Sequence, residues 1–294
     1  MFPYKTEPIL LEKIWGGQRL IGYSKIFSGK IGESIEFDGR KIGVPLVIKL
    51  IDACDNLSIQ VHPDKETALE FNDGTCGKDE LWVVLDCEEG SKIYYNFNDN
   101  YDKKTIYDAA LDGSIIKLMN KINVKKGDCI FIPSGTVHAL GKGVLVYELQ
   151  QASDITYRLY DWDRVENGAR RELHVDKALA SIKIDKYLSA EDILNIYDKE
   201  SMNNRLVSLG EYEHFGAKFV SLKNEESIMQ RCDEVKIITV ISGKGVLCFR
   251  DKRMALKKGD TIVIPVDSNE FMSIIGSGLL RFIESWPINV NLRV

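Results

Sequence analysis

The sequence predicts a mainly β protein with two barrel-like or sandwich-like units and a few helices. Short segments rich in β-branched and aromatic residues recur along the chain, and Gly, Pro, Asn or Asp residues separate them. Many short strands with such turns are typical of a sandwich or barrel. In addition, one strand-forming motif occurs twice, at residues 125–133 and 257–265, an offset of 132 positions.

The strands and helices fall into three successive parts of the chain. Strands are predicted first at 44–53, 57–63, 81–87, 91–97, 128–135 and 143–151, and then at 217–224, 235–251, 260–266 and 279–286. One helix is predicted at about 101–121, where apolar residues recur near a helical period although Gly113 weakens it. A second helical stretch covers roughly 172–200. We therefore expect a catalytic domain over 1–175, a helical connector over 176–210 and a second domain over 211–294.

The repeated motif defines the kind of barrel that we expect. KKGDCIFIP at 125–133 and KKGDTIVIP at 257–265 each predict a tight turn that leads into a buried strand. The same offset places Glu270 where the first copy has His138. A KKGDxIxIP turn followed by a strand and a histidine resembles a cupin, or jelly-roll, barrel. We expect two cupin-like barrels, with metal ligands in the N-terminal barrel alone.

Composition excludes several classes of function. The net charge of -5 offers no basic field for a nucleic-acid backbone, and neither a basic patch nor a helix-turn-helix pattern is evident. No apolar run reaches about 18 residues, and the first residues lack a signal-peptide pattern. The six cysteines are scattered without a CxxC pair, as in reduced intracellular proteins. We expect a cytoplasmic protein without nucleic-acid or membrane partners.

Four residues form a candidate metal shell: Gln60, His62, Glu80 and His138. Alternate residues of a strand face the same side, so Gln60 and His62 can both face one barrel interior. Glu80 begins the next strong strand, and His138 ends the strand that follows the KKGD turn. Nitrogen, carboxylate and amide donors suit zinc, and they also tolerate manganese, iron or cobalt. The remaining histidines, His174 and His214, are expected at the surface or in capping positions.

Four motifs in order resemble one enzyme family. LSIQVHPD, GKDELWVV, PSGTVHALGKG and YELQQASDITYRLYDWDR are similar to segments of the type I mannose-6-phosphate isomerases in their short bacterial form, over about residues 1–180. The resemblance implies zinc-dependent interconversion of mannose 6-phosphate and fructose 6-phosphate, with one Zn²⁺ per chain. One departure is evident: where the family has GE-x-W, residues 32–35 are GESI.

The resemblance also assigns roles to individual residues. The zinc ligands of the family fall on Gln60, His62, Glu80 and His138. Its active-site arginine falls on Arg158, and a glutamate that has been argued to be catalytic falls on Glu148. Residues near the sugar phosphate fall on Ser58, Lys49, Lys78 and Arg164.

The chemistry of aldose–ketose isomerisation fits these assignments. A proton moves between adjacent carbons through a cis-enediol, and negative charge develops on oxygen. A metal ion stabilises that charge as a Lewis acid. Glu148 is the candidate base. A guanidinium holds its proton up to a pKa above about 12, so Arg158 is expected to stabilise the enediolate instead. Composition alone favours an ion pair of Arg158 with Asp154 or Asp161.

The remaining expectations concern the residues that bind the phosphate, two alternative functions and the oligomeric state. A dianionic phosphate needs several cations or hydroxyls, and Lys49, Ser58 and Lys78 could supply them; Lys78 shares strand parity with Glu80. One alternative is a redox cupin that uses iron or manganese, although such sites usually have three histidines. Another is a noncatalytic phosphosugar-binding cupin derived from an isomerase. A monomer or weak homodimer is expected.

Overall fold

The computed structural model describes residues 1–166, 168–183, 193–201 and 205–288. The protein is mainly β, which confirms the predicted fold class. Strands form one sheet of eight strands, one of seven, one of five and a two-stranded ribbon. In the described part of the chain, no helix has the length and apolar character needed to cross a membrane.

The first part of the chain supplies the seven-stranded and five-stranded sheets. Its strands are β1 (Tyr4–Lys5), β2 (Ile9–Gly17), β3 (Ile31–Asp38), β4 (Leu46–Ala53), β5 (Ile59–Val61), β6 (Glu80–Cys87), β7 (Lys92–Phe97), β8 (Met119–Asn123), β9 (Asp128–Ile132), β10 (His138–Leu140), β11 (Val144–Gln151) and β12 (Tyr157–Tyr160). The order is β12-β5-β10-β7-β8 in the five-stranded sheet. In the seven-stranded sheet, six of the strands lie in the order β9-β6-β11-β4-β2-β3.

The rest of the chain supplies the ribbon and most of the eight-stranded sheet. Its strands are β13 (Val165–Glu166), β14 (Ala169–Arg170), β15 (Leu194–Asn195), β16 (Leu206–Glu211), β17 (Phe215–Lys223), β18 (Ser227–Cys232), β19 (Lys236–Phe249), β20 (Lys252–Lys257), β21 (Thr261–Ile264) and β22 (Asp267–Pro287). The α-helices are α1 (Lys65–Glu70), α2 (Lys103–Asp112), α3 (Ile115–Leu118), α4 (Val175–Ser181) and α5 (Ile196–Ser201).

The central strand β11 of the seven-stranded sheet is buried on both faces, which explains why most of its residues are apolar. On β11, Leu145, Tyr147 and Leu149 pack into a cluster that also contains Phe215 and Ile283 of the eight-stranded sheet. The alternate residues of β11 face the five-stranded sheet instead, because successive side chains of a strand point to opposite faces. Glu148 is one of these alternate residues, so its carboxylate enters the space between the two smaller sheets.

The two KKGD motifs adopt the same turn, as predicted from the repeat. Gly127 and Gly259 have φ values of +92° and +89°, which favour glycine. In each turn the following aspartate closes the loop: the amide of Lys125 donates to Asp128 at 2.8 Å, and the corresponding bond in the second copy is 2.9 Å long. β9 and β21 follow these turns. The repeat therefore reflects a shared local structure.

The helices differ in detail from the prediction. The stretch predicted at 101–121 contains two helices, because α2 ends at the left-handed cap Gly113 and α3 begins after it. In the predicted connector, helices α4 and α5 are separated by residues 184–192, which lie outside the described residues, and by β15.

Two short strands link distant parts of the chain. β1 pairs with β21, so the start of the chain belongs to the eight-stranded sheet. β15 pairs with β9 of the seven-stranded sheet, whereas β16, which begins at Leu206, lies in the eight-stranded sheet. The domain limits at 175 and 210 stay a prediction, and the strand pairing crosses both of them.

Candidate metal centre and active-site cavity

Three neighbouring strands of the five-stranded sheet place the candidate ligands side by side. In the register, His138 of β10 lies opposite Gln60 of β5, and Gln60 lies opposite Arg158 of β12. Directly opposed residues of antiparallel strands have side chains on the same face, with Cβ atoms about 4.5–5.5 Å apart. His62 follows β5 and has the parity of Gln60. This row of side chains therefore faces the seven-stranded sheet.

Glu80 reaches the row from the opposite sheet, at the first residue of β6. Its carboxylate lies between the two imidazoles: His62 Nε2 is 3.0 Å from Oε1, and His138 Nε2 is 3.6 Å from Oε2. One potential ligand atom from each of the three residues lies within 4.8 Å of the others, and all three side chains are about 1% exposed. In the described ranges this is the single group of its kind.

Both histidines present an imidazole nitrogen that can bind a metal. His62 Nδ1 lies 2.8 Å from the carbonyl oxygen of Ile155, and His138 Nδ1 lies 2.9 Å from that of Thr136. Nδ1 therefore donates to the backbone, and Nε2 keeps its lone pair toward Glu80. Burial and the charge of Lys78 lower the pKa of His62 to about 4, and burial lowers the pKa of His138. Both rings are neutral at pH 7, as metal ligands must be.

The carboxylate of Glu80 is charged and accepts no hydrogen bond from the described residues. Burial opposes its ionisation, but the charge of Lys78 holds the pKa of Glu80 well below its ordinary value. Lys78 Nζ is 2.7 Å from Oε1, at ion-pair distance. Oε1 thus has an ammonium beside it, but Oε2 faces the neutral ring of His138 and has no donor, which is costly in a buried carboxylate unless a cation takes that oxygen. The donor set thus fits a divalent metal, with zinc suited to two imidazoles and one carboxylate.

Gln60 borders this group with its amide. Its Nε2 lies 3.4 Å from His138 Nε2, and its Oε1 accepts a hydrogen bond of 3.1 Å from Ser58. The side chain is close enough to join the shell, but an oxygen ligand requires the amide to turn by about 180° about its last bond. Its role as a ligand stays a prediction.

A second carboxylate, Glu148, lies on the same sheet face as Glu80. In the register of β11, Gln150 lies opposite Glu80, so Glu148 is its diagonal neighbour. Trp82 Nε1 donates to Glu148 at 2.9 Å, and Lys49 Nζ lies 3.6 Å away on the other side. Burial, and then the negative charge of Glu80, raise the pKa of Glu148 to about 7. Such a carboxylate can take and return a proton near neutral pH.

These groups line one cavity of about 500 Å³, which can hold a hexose phosphate. Its wall includes Gln60, Glu80, Glu148 and Arg158, and it also includes Ser58, Lys49 and Lys78. Seven of the residues that the sequence singles out therefore meet in one space. His62 and His138 lie immediately behind this wall, in contact with Glu80.

Arg158 is half-buried and has no counter-ion at ion-pair distance among the described residues. Its Nη1 donates to the carbonyl oxygen of Glu172 at 2.8 Å, whereas its Nε is buried without a hydrogen-bond partner. Neither Asp154 nor Asp161 pairs with it: Asp154 binds Arg40, and Asp161 binds Arg164 and Arg171. The ion pair favoured by composition alone is therefore absent among the described residues. The guanidinium is available to the cavity.

The residues predicted near the phosphate differ in their surroundings. Lys49 is held between Glu148 and Glu33, whose charges raise its pKa although burial opposes this. Lys78 contacts Glu80, and Ser58 donates to Gln60. All three therefore lie around the carboxylates and the candidate metal ligands.

Arg164 is not brought to the cavity wall. Its guanidinium donates to the carbonyl oxygen of Asn56 at 2.6 Å and pairs with Asp161. Two arginines that the sequence analysis missed, Arg40 and Arg171, line the cavity instead. Neither belongs to one of the four motifs, although Arg171 follows the last of them by only seven residues.

The two remaining histidines lie away from the candidate metal centre. His174 is the N-cap residue of α4, and its Nδ1 accepts a hydrogen bond from the amide of Arg158 at 3.2 Å. His214 has an exposed side chain next to Glu213. His174 thus occupies a capping position, although its side chain makes no capping hydrogen bond, and His214 lies at the surface as expected.

Comparisons with known proteins agree with this architecture. Residues 207–285 match a family model described as mannose-6-phosphate isomerase, cupin domain. Mannose-6-phosphate isomerase ManA of Bacillus subtilis is 31% identical over 309 residues, which cover 92% of this chain and 95% of that protein. The crystal structure of the mannose 6-phosphate isomerase from Bacillus subtilis has a TM-score of 0.79 at 29% identity, covering 97% of this chain and 99% of its own.

A third structure, of a mannose 6-phosphate isomerase bound with zinc and yttrium, shares the fold with a TM-score of 0.71 at 14% identity, covering 96% of this chain and 98% of its own. The family resemblance of the motifs is confirmed by the relative that spans nearly the whole chain. The chain belongs to the mannose-6-phosphate isomerase family.

Proposed function

We propose that this protein interconverts mannose 6-phosphate and fructose 6-phosphate through a cis-enediol, with one zinc ion held by His62, Glu80, His138 and Gln60. The observation that carries the proposal is the buried carboxylate of Glu80 between two neutral imidazoles, at the wall of a cavity that also contains Glu148. The names of the relatives support the same substrate pair.

The chemistry of the donor set supports zinc as the metal. Two imidazole nitrogens and one carboxylate leave positions open for an amide and for substrate, as in catalytic zinc sites. A related isomerase of the same fold is described with zinc bound. When bound, zinc supplies Lewis acidity that stabilises negative charge on the oxygens of the reacting carbons.

Glu148 carries the carbon-bound proton in this proposal. Starting from the open-chain aldehyde of mannose 6-phosphate, the carboxylate takes the proton from C2, the C2–H electron pair forms the C1–C2 double bond, and the π pair of the C1 carbonyl moves onto the C1 oxygen. The C1 oxygen gains the proton that the C2 oxygen gives up, so that C2 becomes the carbonyl carbon as the C1–C2 double bond takes the proton back from Glu148 at C1. The pKa near 7 suits both steps. Trp82 fixes the carboxylate by its hydrogen bond.

The cationic side chains have distinct roles. Arg158 has free donors beside Gln60, so it stabilises charge that develops on the substrate oxygens. Lys49 and Lys78 contact the two carboxylates, and we propose that they act with Ser58 at the reacting end of the sugar. Arg164 braces Asp161 from outside the cavity.

Three further proposals concern the cellular compartment, the location of the metal and the oligomeric state. We propose that the protein works in the cytoplasm, because its six cysteines are free thiols, as is usual in a reducing compartment. We propose that metal binds in the N-terminal barrel alone, because the one candidate group among the described residues lies there. We also propose that the chain acts as a monomer or weak homodimer, because that group is complete with ligands from one chain.

A coupled assay of mannose 6-phosphate conversion tests the proposed function. We expect turnover to be lost with a chelator and restored by one equivalent of zinc. Arg158→Ala should keep the metal and lose turnover, because the arginine contacts no ligand through an ion pair. Binding of metal and sugar phosphate without turnover would identify a noncatalytic cupin. Oxygen uptake with iron, and no isomerisation, would identify a redox cupin.

A further inference from the structure

The charges that line the cavity are unevenly balanced. Six cationic side chains belong to its wall: Lys13, Arg40, Lys49, Lys78, Arg158 and Arg171. Four of them contact a carboxylate that lies in the same wall. Lys13 and Lys49 contact Glu33, Lys49 also contacts Glu148, Lys78 contacts Glu80, and Arg40 binds Asp154. The excess positive charge of the wall therefore lies at Arg158 and Arg171.

Arg171 shares its only described counter-ion with another arginine. Its Nε donates to Asp161 Oδ2 at 2.7 Å and its Nη2 donates to Oδ1, so both ends of the carboxylate hold it. Arg164 uses the same Oδ1. Although burial opposes ionisation, these two arginines keep the pKa of Asp161 below its ordinary value. One negative charge thus serves two guanidinium groups, and the Nη1 of Arg171 makes no hydrogen bond within the described chain.

Arg158 and Arg171 are close enough to repel one another. Burial, and then the charge of Arg171, lower the pKa of Arg158. Two like charges that face one cavity cost free energy in the empty protein, and a dianion between them would remove that cost. Asp161 holds Arg171 rigidly, so little side-chain entropy is lost when an anion binds.

The position of Arg171 also suits the shape of the substrate. A hexose 6-phosphate carries its reacting carbons, C1 and C2, at the end opposite its phosphate. Lys49 and Lys78 contact Glu148 and Glu80, where the reacting carbons must lie, so they are poorly placed for the phosphate. Arg158 lies beside Gln60, and Arg171 lies in the same wall without contact to any candidate metal ligand.

We propose that Arg171 binds the phosphate group of the substrate and forms, beyond Arg158, the phosphate end of the cavity. This inference depends on the proposed function for the identity of the substrate. Arginine is suited to the task because its planar group offers directed donors to phosphate oxygens. Asp161 is then a positioning residue that orients Arg171.

The test compares Arg171→Gln with Arg170→Gln. Arg170 is the adjacent residue, 69% exposed, and it pairs with Asp163 outside the cavity wall. For Arg171→Gln we expect KM for mannose 6-phosphate to rise about 10- to 100-fold, the range for a lost hydrogen bond to a charged group, with kcat changed less than about threefold. The inhibition constant of inorganic phosphate should rise in parallel. Arg170→Gln should leave both values within about twofold of wild type.

Arg171→Lys keeps the charge but loses the planar donors, so its KM should lie between those of wild type and Arg171→Gln. It also serves as the test variant if Arg171→Gln fails to fold. The inference is overturned if the variants of Arg171 and Arg170 have the same KM and the same phosphate inhibition, or if kcat falls while KM stays constant.

A failure of the proposed function gives a different result. In that case wild-type protein does not convert mannose 6-phosphate. Calorimetry with mannose 6-phosphate and with mannose then still tests the phosphate site. We expect wild type and Arg170→Gln to prefer the phosphorylated sugar, and Arg171→Gln to lose that preference. An equal preference in all three proteins would refute the site.

Discussion

The seven-stranded sheet and the eight-stranded sheet each contain a fully buried glutamate, Glu80 and Glu284, but the two carboxylates have different surroundings. Glu80 lies between two neutral imidazoles, and its oxygens accept no hydrogen bond from the described residues. Glu284 of β22 lies 2.7 Å from the ammonium of Lys218 and accepts a hydrogen bond of 2.7 Å from Gln230. Both carboxylates have an ammonium at 2.7 Å, from Lys78 in one case and Lys218 in the other. The difference lies at the second oxygen: an amide nitrogen donates to that of Glu284, whereas that of Glu80 faces the imidazole of His138 and leaves a place for a cation.

The same contrast applies to the repeated turn. Both KKGD motifs form the same loop and lead into a buried strand, but different residues follow them. The first copy leads to His138 in the candidate metal centre. At the corresponding position of the second copy, Glu270 binds Arg250 near the surface. The turn therefore determines the local fold, and the residues a few positions beyond it determine the chemistry.

Removing a histidine from each part of the molecule should give the largest difference. We expect His62→Ala to lose bound zinc and to lower kcat/KM by about 10³-fold or more, because several kcal/mol of charge stabilisation are lost. His214→Ala, at an exposed position near the eight-stranded sheet, should keep both. Metal analysis and the coupled assay measure this. Full zinc content in His62→Ala would show that the ligand assignment is wrong.

Glu148 and Glu284, one buried glutamate from each part of the molecule, offer the next comparison. Glu148→Gln should lower kcat by about 10²- to 10⁴-fold and keep the metal, because it removes the proposed base but no ligand. Glu284→Gln should keep kcat and reduce stability by about 1–3 kcal/mol, because it removes the partner of Lys218. Steady-state kinetics and urea unfolding of both variants measure these effects. If Glu148→Gln retains the wild-type rate, another group must move the proton.

The raised pKa of Glu148 predicts a dependence of stability on pH in the metal-free protein. Folding raises this pKa from an ordinary value of 4.5 to about 7. Glu148 therefore contributes stability that is fully present below about pH 4.5 and is lost as the pH rises through about 7. Glu148→Gln cannot ionise, so it should be more stable than wild type at about pH 8 and similar to it at about pH 4. Thermal melts of both metal-free proteins measure the difference, and an equal gap at both pH values would contradict the raised pKa.

Replacing the glycine of either repeated turn by alanine should give the smallest effect, and it allows the two turns to be compared directly. Alanine at either position has an unfavourable positive φ, which costs about 1–2 kcal/mol. At Gly259 the added Cβ would lie 1.9 Å from the carbonyl oxygen of Tyr23, whereas at Gly127 the nearest atom, at 2.5 Å, belongs to the side chain of Tyr197. Gly259→Ala should therefore cost more, because a backbone atom moves less easily than a ring. Urea unfolding measures the order, and the reverse order would contradict this reasoning.

Local patterns predicted most of the strands and the candidate metal ligands. The alternation of side chains in β5 placed Gln60 and His62 on one face, and the KKGD turn indicated where His138 would follow. These features depend on neighbours within a few residues, so the sequence shows them. The break at Gly113 in the predicted helix belongs to the same class, because glycine caps helices in the left-handed conformation.

Contacts between distant residues could not be predicted in this way. Nothing in residues 4–5 indicates that β1 joins the eight-stranded sheet through β21. Arg164 and Arg171 have similar surroundings in the sequence, and only the folded chain shows which one lines the cavity. Likewise, the carboxylate partners of Lys49 come from β3 and β11. Such assignments require the strand register.

The central claim is that His62, Glu80 and His138 bind the metal on which turnover depends. Anomalous diffraction at the zinc edge, from crystals of the zinc-restored active enzyme, tests it most directly. We expect one peak per chain, at bonding distance from Nε2 of both histidines and from the carboxylate of Glu80, and none near the eight-stranded sheet. A peak elsewhere, or active crystals without a peak between these three side chains, would contradict the claim.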